Sequence, residues 1–364
     1  SYQVFKKIQK LLTRVNRRCY NRPMMKRVSS NDVAKEAGVS RATVSYVLNN
    51  VQGVRIKPET KEKVLTAAKK LNYHPDSMAV ALKRNRSMCI GVASRRDIDE
   101  ERYTKVLKGI RDVLAPKGYA ILICSDEWND KGYPEYLQYY YRKRIDGILL
   151  LSHIESIREQ ETEKVAAILR KEKIPSVLID YHHNSPMVNC VDINYFHGGY
   201  IGAEFLIQKG VTQVVYLDSG TNTIQEKERI RGVRKAFEEA GREMDRITIV
   251  DVREAREEGS RRIQSILAEH RPDSAIMAGW VRYGFCALNM LNTLGYRIPQ
   301  DIQVISLAGS SFSDLSYPRL TASELPLYEI GKKSAEVLLA TLEEEVLPVR
   351  IQLPCRITAR ETTK

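Results

Sequence analysis

The chain of 364 residues is 43% hydrophobic, enough to bury cores in more than one domain. Its formal net charge of +13 is unevenly placed, because residues 1–86 carry +15 and the other 278 residues carry −2. This asymmetry indicates an anionic partner bound at one end of the chain. No apolar run is long enough to span a membrane, no secretory signal is recognisable, and the six scattered cysteines form no CxxC motif, which favours a cytoplasmic protein with reduced core thiols.

Residues 1–24 form a basic N-terminal extension without acidic residues. Its apolar residues recur at the spacing of an amphipathic helix. We expect a loose tail that leaves the choice of binding site unchanged. An arm that contacts phosphates of the anionic partner is the alternative interpretation.

Residues 29–49 have the pattern of two short helices joined by a tight turn. Ser29 and Asp32 form a potential capping box at the start of the first helix. Gly38 follows that helix, where a left-handed conformation is common, and Ser40 is placed to cap the second helix through the N–H of Ala42 or Thr43. This layout is typical of a helix-turn-helix, whose second helix enters the DNA major groove. The predicted apolar seam consists of Val33, Ala34, Ala37, Val39, Val44 and Val47.

A third helix is predicted to open with Pro58 at its first position, where the missing N–H has no cost. The side chains expected to pack on the first two helices are Val64, Leu65, Ala68 and Leu71. The following helical segment, Ser77 to Lys83, is too short to be stable alone, so we expect it to become ordered on binding.

From Met88 onward short apolar runs alternate with helical stretches, which predicts βαβ units and parallel sheets. Two such sets indicate two doubly wound lobes with a ligand between them at the carboxyl ends of the strands. The predicted strands are Cys89–Ser94, Ala120–Cys124, Gly147–Leu151, Ser176–Ile179, Cys190–Ile193, Val214–Leu217, Ile247–Val250, Ala275–Met277 and Val304–Leu307. The helices predicted between them include Tyr103–Lys117, Tyr133–Arg144, Phe196–Lys209, Ile224–Ala240 and Arg282–Leu294.

Both halves together resemble the LacI/GalR family of bacterial transcription regulators. The resemblance runs from about residue 25 to the C-terminus and rests on motifs in order and spacing: the helix-turn-helix, Lys57-Pro58-Glu59-Thr60, Leu71-Asn72-Tyr73, Asp76–Leu82, Ile90-Gly91-Val92, Arg144–Ile148, Ile174–Val177, Gly202–Leu206, Arg229–Gly232 and Pro326–Gly331. It implies an all-α helix-turn-helix headpiece with a hinge helix, followed by a periplasmic-binding-protein-like α/β core of two doubly wound parallel-sheet lobes. The expected limits are 25–74 for the DNA-binding domain, 75–87 for the hinge segment and 88–364 for the effector-binding and dimerisation core. Within the core we expect lobe 1 at about 88–186 and 322–348, and lobe 2 at about 187–321 and 349–364.

The resemblance implies a homodimer that places two headpieces on a near-palindromic double-stranded operator. Arg41 lies where the family contacts base edges, although a phosphate contact is an equal alternative. Leu82 matches the family leucine that inserts into the minor groove and kinks the duplex. The predicted DNA-binding residues are Ser29, Asn31, Ser40, Arg41, Ala42, Thr43, Ser45, Tyr46, Asn49, Arg55, Lys57, Ala79, Leu82 and Lys83.

The family usually binds sugars or related metabolites between the lobes. The positions that match effector contacts, or that lie near them, are Ser152, Asp180, Tyr195, Arg229 and Trp280. Two polar anchors of the family are replaced here, by Trp280-Val281 after one strand and by Ser306–Gly309 after another. Trp280 is expected either to stack on a sugar or nucleobase ring or simply to fill the cleft.

The sequence therefore predicts a dimeric repressor of a carbohydrate-utilisation operon, acting in the bacterial cytoplasm and switched by a small metabolite. A regulator controlled by a protein partner, or one without a small effector, is the alternative, and a sugar-binding protein is a third. No nucleophile elbow, Walker A loop or dinucleotide fingerprint is present, so we expect no enzyme, no catalytic residue and no cofactor. His182 and His183 are adjacent without a metal-binding motif, so no metal site is expected.

Overall fold

The structure is a computed structural model that describes residues 28–48, 53–73, 86–94, 101–125, 127–130, 132–151, 159–182, 188–252, 273–344 and 347–364. Contacts divide the chain into two compact units, Ser1–Asn85 and Arg86–Lys364. The N-terminal extension and most of the expected hinge segment lie outside the described residues, so their limits stay predictions.

The first unit contains helices α1 (Ser30–Ala37), α2 (Arg41–Leu48) and α3 (Pro58–Lys70). Both predicted caps are confirmed: Ser29 and Asp32 close a capping box, and the N–H of Thr43 donates to Ser40 Oγ at 3.1 Å. Gly38 ends α1 in the left-handed region at φ 66°. A small core joins the three helices through Val33, Ala34, Ala37, Val44, Val47, Val64, Ala67 and Ala68.

The prediction that Leu65 packs in the core of this unit is wrong. Leu65 is 47% exposed, whereas its neighbour Val64 is completely buried. Successive residues of a helix point about 100° apart, and the face defined by Val64, Ala67 and Ala68 leaves Leu65 outside the seam.

The second unit is built from two parallel-sheet lobes with the same strand order. In lobe 1 the strands β1 (Cys89–Ser94), β2 (Ala120–Ser125), β3 (Gly147–Leu151), β4 (Ser176–Ile179), β5 (Asn189–Ile193) and β11 (Arg350–Leu353) form a six-stranded sheet in the order β11-β5-β4-β3-β1-β2. Its described helices are α4 (Glu101–Leu114), α5 (Tyr136–Tyr141), α6 (Glu159–Lys171) and α10 (Leu327–Glu343).

In lobe 2 the strands β6 (Gln213–Asp218), β7 (Ile247–Asp251), β8 (Ser274–Ala278), β9 (Gln303–Ser306), β10 (Thr321–Glu324) and β12 (Arg356–Thr358) form a second six-stranded sheet. Its order is β12-β10-β9-β8-β6-β7, with only β12 antiparallel to its neighbour. The described helices of this lobe are α7 (Tyr195–Gln208), α8 (Ile224–Glu239) and α9 (Val281–Thr293). All nine predicted strands are confirmed within one or two residues at each end, and β10, β11 and β12 were not predicted.

The expected limits of the lobes are wrong at three strands. β5 and β11 pair with each other in the sheet of lobe 1, although both were assigned to lobe 2. β10 pairs with β9 in lobe 2, although residues 322–324 were assigned to lobe 1. The chain passes from lobe 1 to lobe 2 after β5 and again after β11, and it returns from lobe 2 to lobe 1 after β10.

In each lobe two helices cross closely through a pair of glycines. A Cβ on Gly199 of α7 would overlap the carbonyl oxygen of Arg229 on α8, and a Cβ on Gly232 would overlap that of Phe196. Gly109 and Gly331 play the same part between α4 and α10. The backbone of Arg229 is thereby held directly against α7.

The described cysteines differ in burial. Cys124, Cys190 and Cys355 are buried as expected, whereas Cys286 is exposed on α9 and is no core residue.

Among the described residues, no helix combines the length and the apolar composition that a membrane span requires.

Candidate functional site

The outer face of α2 carries the residues predicted to contact DNA. Arg41 and Ala42 are exposed at its first turn, while Thr43, Ser45 and Tyr46 are half-buried. Arg41 Nε donates to Ser30 Oγ at 3.1 Å, which orients the guanidinium along the N-terminal ends of α1 and α2. The Ser40 hydroxyl lies 2.9 Å from Thr43 Oγ1, so the cap also orients Thr43.

The other predicted DNA contacts fall into two groups. Ser29, Asn31, Arg55 and Lys57 are exposed near the ends of α1 and α3. Asn49, Ala79, Leu82 and Lys83 lie outside the described residues. Direct contact with DNA stays a prediction for every one of them.

A cavity of about 410 Å³ lies between the lobes, at the carboxyl ends of the parallel strands. Glu101, Arg102, Leu325 and Leu327 border it at α4 and at the connection from β10 to α10. Lobe 2 contributes the residues that follow β6, β8 and β9: Ser219, Thr221, Trp280, Val281, Arg282, Phe285, Ala308, Gly309, Ser310 and Phe312. The volume and position are those of a small-molecule site in an open α/β fold.

Asp180 is the centre of a buried polar network beside this cavity. It follows β4 with a positive φ of 63° and is 3% exposed. Its carboxylate pairs with Arg102 and accepts hydrogen bonds from Tyr195 Oη at 2.7 Å and from the N–H of Ile193 at 3.2 Å. Burial alone would raise the pKa of Asp180, but Arg102, His182 and Tyr195 hold that pKa below its usual value. Asp180 therefore stays ionised.

His182 and Asp192 extend the same network toward the first crossing between the lobes. His182 Nε2 lies 3.1 Å from Asp180 Oδ1, and the N–H of His182 donates to Asp192 Oδ1 at 2.9 Å. Burial would lower the pKa of His182, but the hydrogen bond and charge of Asp180 raise it. One potential metal-ligand atom from each of Asp180, His182 and Asp192 lies within 4.8 Å of the other two, as in a metal site. Because Arg102 already neutralises Asp180, we interpret the group as an internal network.

Arg229 is completely buried beneath the cavity wall. Its guanidinium is sandwiched between two aromatic rings, 4.6 Å from the centroid of Tyr195 and 4.2 Å from that of Trp280. Nη1 donates to Glu226 Oε2 at 3.0 Å, whereas Nε and Nη2 have no partner among the described residues. Burial raises the pKa of Glu226, and the charge of Arg229 opposes that rise.

The predicted effector residues separate into wall and interior. Trp280 lines the cavity, and its role as an effector contact stays a prediction. Asp180, Tyr195 and Arg229 are brought together, but in a buried layer behind the wall instead of on it. Ser152 lies outside the described residues.

The sequence analysis missed several wall residues, among them Glu101, Arg102, Arg282, Phe285 and Phe312. The predicted helix began at Tyr103, which left Arg102 in a loop, whereas α4 begins at Glu101. Charged residues in the first turn after a strand end were the available signal for Glu101 and Arg102.

Two family models match the chain. Residues 31–76 match "Bacterial regulatory proteins, lacI family", and residues 203–363 match "Periplasmic binding protein-like domain". The first range covers α2, α3 and all of α1 except Ser30, and the second begins within α7 and runs through β6 to β12.

Curated relatives and solved structures agree with these matches. The transcriptional regulator DegA of Bacillus subtilis is 30% identical over 300 residues, 82% of this chain and 87% of that protein. Catabolite control protein A of Priestia megaterium is 28% identical over 340 residues, 93% of this chain and 99% of its own length. The Lac repressor bound to ONPG shares the fold with a TM-score of 0.75 and 23% identity, over 93% of this chain and all of that one.

The relatives are named as transcriptional regulators, and the helix-turn-helix with its capped second helix is the DNA-binding element of such proteins. The chain is a DNA-binding transcriptional regulator and belongs to the LacI family of bacterial regulatory proteins.

Proposed function

We propose that this regulator is a homodimeric repressor whose affinity for operator DNA is switched by a small molecule bound between the lobes. The observation that carries the switch is the cavity of about 410 Å³ with Arg229 beneath its wall. A ligand that bridges both lobes would favour one arrangement of the lobes, and the coupling to DNA would be reciprocal.

The free donors of Arg229 support a ligand site at this place. Nε and Nη2 lie on the same edge of a guanidinium and form a fork suited to a carboxylate or to two neighbouring hydroxyls. Both are buried without a partner among the described residues. A buried donor without an acceptor costs about 1–3 kcal/mol, so an acceptor supplied by a ligand after movement of Trp280 would recover that energy.

The homodimer is supported by the symmetry that operator recognition requires. A single helix-turn-helix reads one short half-site, and two-fold symmetric proteins read palindromic pairs of half-sites. A solved Lac repressor, described as a dimer bound to operator, shares the fold with a TM-score of 0.74. In such a dimer Leu82 would insert in the minor groove, and Arg41 would contact a base or a phosphate.

Carbohydrate control is supported by relatives alone. Solved structures of the same fold include a CelR–cellobiose complex and an Enterococcus faecium regulator with bound ribose. A repressor of this kind would act in the cytoplasm, at the chromosome.

Operator binding measured with and without candidate ligands tests this function. Genomic fragments selected by the protein would supply the operator, and fluorescence anisotropy would give its Kd. We expect specific binding at least about 1,000-fold tighter than to random DNA, dimers by analytical ultracentrifugation, and a change of Kd with a ligand that also raises Tm. Operator affinity that no small molecule alters would overturn the switch.

Control by a protein partner is the second candidate. It is favoured by the burial of Asp180, Tyr195 and Arg229, which keeps three of the predicted effector contacts off the cavity wall. A purified partner that shifts operator affinity when no small molecule does would establish it.

A further inference from the structure

The wall of the interlobe cavity is mainly aromatic and aliphatic. Trp280, Phe285 and Phe312 contribute rings, and Val281, Leu325 and Leu327 contribute aliphatic side chains. A ring-shaped apolar ligand gains both burial and edge or face contacts in such a site. A free sugar would gain little binding energy from this wall, because apolar side chains form no hydrogen bonds with its hydroxyl groups.

The polar groups of the same wall have few free acceptors. Asp, Asn and Gln, which accept from sugar hydroxyls or nucleobase amines, are absent from the described lining. The only described carboxylate there, Glu101, uses Oε1 both to accept from the N–H of Ser311 at 2.7 Å and to pair with Lys105 at 2.7 Å. Ser219 and Thr221 bond to each other, with their hydroxyl oxygens 2.7 Å apart.

The donors on the wall, in contrast, are in surplus. Arg102 uses Nη2 for Asp180 and Tyr195, while its buried Nη1 has no partner among the described residues. Arg282 donates to Tyr283 Oη at 3.0 Å and stacks on that ring, and no described carboxylate pairs with it. A ligand that satisfies these groups must bring acceptors, and an anion does so most strongly.

We propose that the ligand of this cleft is an aromatic carboxylic acid, with its ring against Trp280 and Phe285 and its carboxylate toward Arg102 and Arg282. This assignment rests on the proposed small-molecule switch and names its ligand class. The match is between an apolar, aromatic wall and a set of donors that exceeds the acceptors.

Trp280 supplies the probe for a direct test. The chain contains two tryptophans, so Trp128→Phe leaves Trp280 as the only one. Its fluorescence would be titrated with phenylacetate and 3-phenylpropionate, with the neutral match phenylacetamide, with the non-aromatic match cyclohexylacetate, and with ribose and cellobiose. Each titration is repeated by calorimetry on the unsubstituted protein, so a folding defect in Trp128→Phe would not affect the conclusion.

We expect phenylacetate or 3-phenylpropionate to bind at least tenfold more tightly than phenylacetamide and cyclohexylacetate, and to change operator affinity. Arg282→Gln and Phe285→Leu should each weaken the acid at least fivefold. Arg297→Gln is the matched control, because Arg297 is 75% exposed and pairs with Asp301 on the surface of the same lobe.

The other outcomes separate the two proposals. Binding of ribose or cellobiose without the aromatic acids would overturn the ligand class and leave the small-molecule switch standing. Equal binding of phenylacetate and its amide, or of phenylacetate and cyclohexylacetate, would also overturn the ligand class. Intact operator binding with no response to any probe would overturn the ligand class and count against the switch itself.

Discussion

Glu101 and Ser311 join the two lobes across the mouth of the cleft. Glu101 Oε1, at the start of α4, accepts a hydrogen bond from the N–H of Ser311 at 2.7 Å. Ser311 opens a short 3₁₀ helix (Ser311–Asp314) that follows β9 in the other lobe. A carboxylate at such an N-terminus is favoured by the free N–H groups, so the contact holds the lobes together at this edge.

Glu101→Gln should loosen this edge of the cleft. The neutral amide gives a weaker bond to Ser311, and we expect a loss of about 1 kcal/mol of local stability. Hydrogen exchange at the Ser311 amide should therefore become several-fold faster. Glu343→Gln, an exposed change at the end of α10, is the control. Unchanged exchange at Ser311 would show that the contact does not restrain the lobes.

The same contact should depend on pH. Burial would raise the pKa of Glu101, but Lys105 and the N–H of Ser311 lower it below its usual value. A carboxyl whose pKa is lowered by folding stabilises the native state above its unfolded pKa, and this contribution fades as pH falls through the folded pKa. Ser311 exchange, corrected for its intrinsic pH dependence, should accelerate on acidification in the unsubstituted protein and not in Glu101→Gln.

Arg229→Met should destabilise the core strongly. It leaves Glu226 buried without its charge partner, which costs about 3–5 kcal/mol. The cost should shrink at lower pH, because burial already raises the pKa of Glu226 and protonation removes the unpaired charge. The double variant Arg229→Met/Glu226→Gln should regain most of the loss. Urea denaturation of the two single variants and the double variant measures the coupling, and simple additivity would refute it.

Asp180→Asn should be similarly costly near neutral pH, because Arg102, whose side chain is only 18% exposed, then loses its carboxylate partner. We expect a loss of about 3 kcal/mol. Since the pKa of Asp180 is lowered by folding, its stabilising contribution is present above the unfolded pKa and disappears at more acidic pH. The stability gap between the two proteins should therefore narrow below about pH 4. Asp245→Asn, with a side chain 76% exposed, is the matched control.

Much of the fold was accessible from local signals in the sequence. Capping residues such as Ser29 and Ser40 act within one turn, so their partners are a few residues away in the chain. Strands such as Gly147–Leu151 are buried on both faces and appear as continuous apolar runs. The strands that were missed, β10, β11 and β12, are short and contain charged or polar residues.

The site was less accessible because it depends on contacts between distant parts of the chain. Arg229 was predicted as an effector contact, and its burial between Tyr195 and Trp280, which depends on the helix crossing at Gly199 and Gly232, was not foreseen. The cavity wall combines residues from 101 to 327, and no local periodicity relates them. The lobe limits failed for the same reason, since strand pairing decides them.

Val64 and Leu65 offer a direct comparison of a correct and a wrong core prediction. Val64→Ala removes completely buried methyl groups and should cost about 1–2 kcal/mol of stability. Leu65→Gln changes a side chain that is 47% exposed and should stay within about 0.5 kcal/mol. Thermal unfolding of the full chain, followed by helical circular dichroism, measures both. A larger loss for Leu65→Gln would mean that Leu65 packs against something beyond α1 and α2.

Ser40→Ala should weaken DNA binding without a direct loss of any base contact. Ser40 Oγ accepts from the N–H of Thr43 at 3.1 Å and lies 2.9 Å from Thr43 Oγ1, so it fixes both the first turn of α2 and one predicted DNA contact. Loss of the cap costs about 1 kcal/mol of helix stability. We expect operator and random DNA to be bound more weakly by a similar factor, and Ser40→Thr, which keeps the hydroxyl, to restore most of the affinity.

A comparison of Ser40→Ala with Arg41→Ala distinguishes an effect of the helix cap on side-chain positions from direct reading of a base by Arg41. If Arg41 contacts a base edge, Arg41→Ala should relax preference at one operator position, whereas a phosphate contact would weaken all sequences alike. Because Arg41 Nε bonds to Ser30 Oγ at 3.1 Å, Ser30→Ala should produce a weaker version of the same change. Anisotropy on a set of single-base operator variants measures all three proteins. An equal loss of preference in Ser40→Ala and in Arg41→Ala would show that Arg41 reads the base only when the cap is intact.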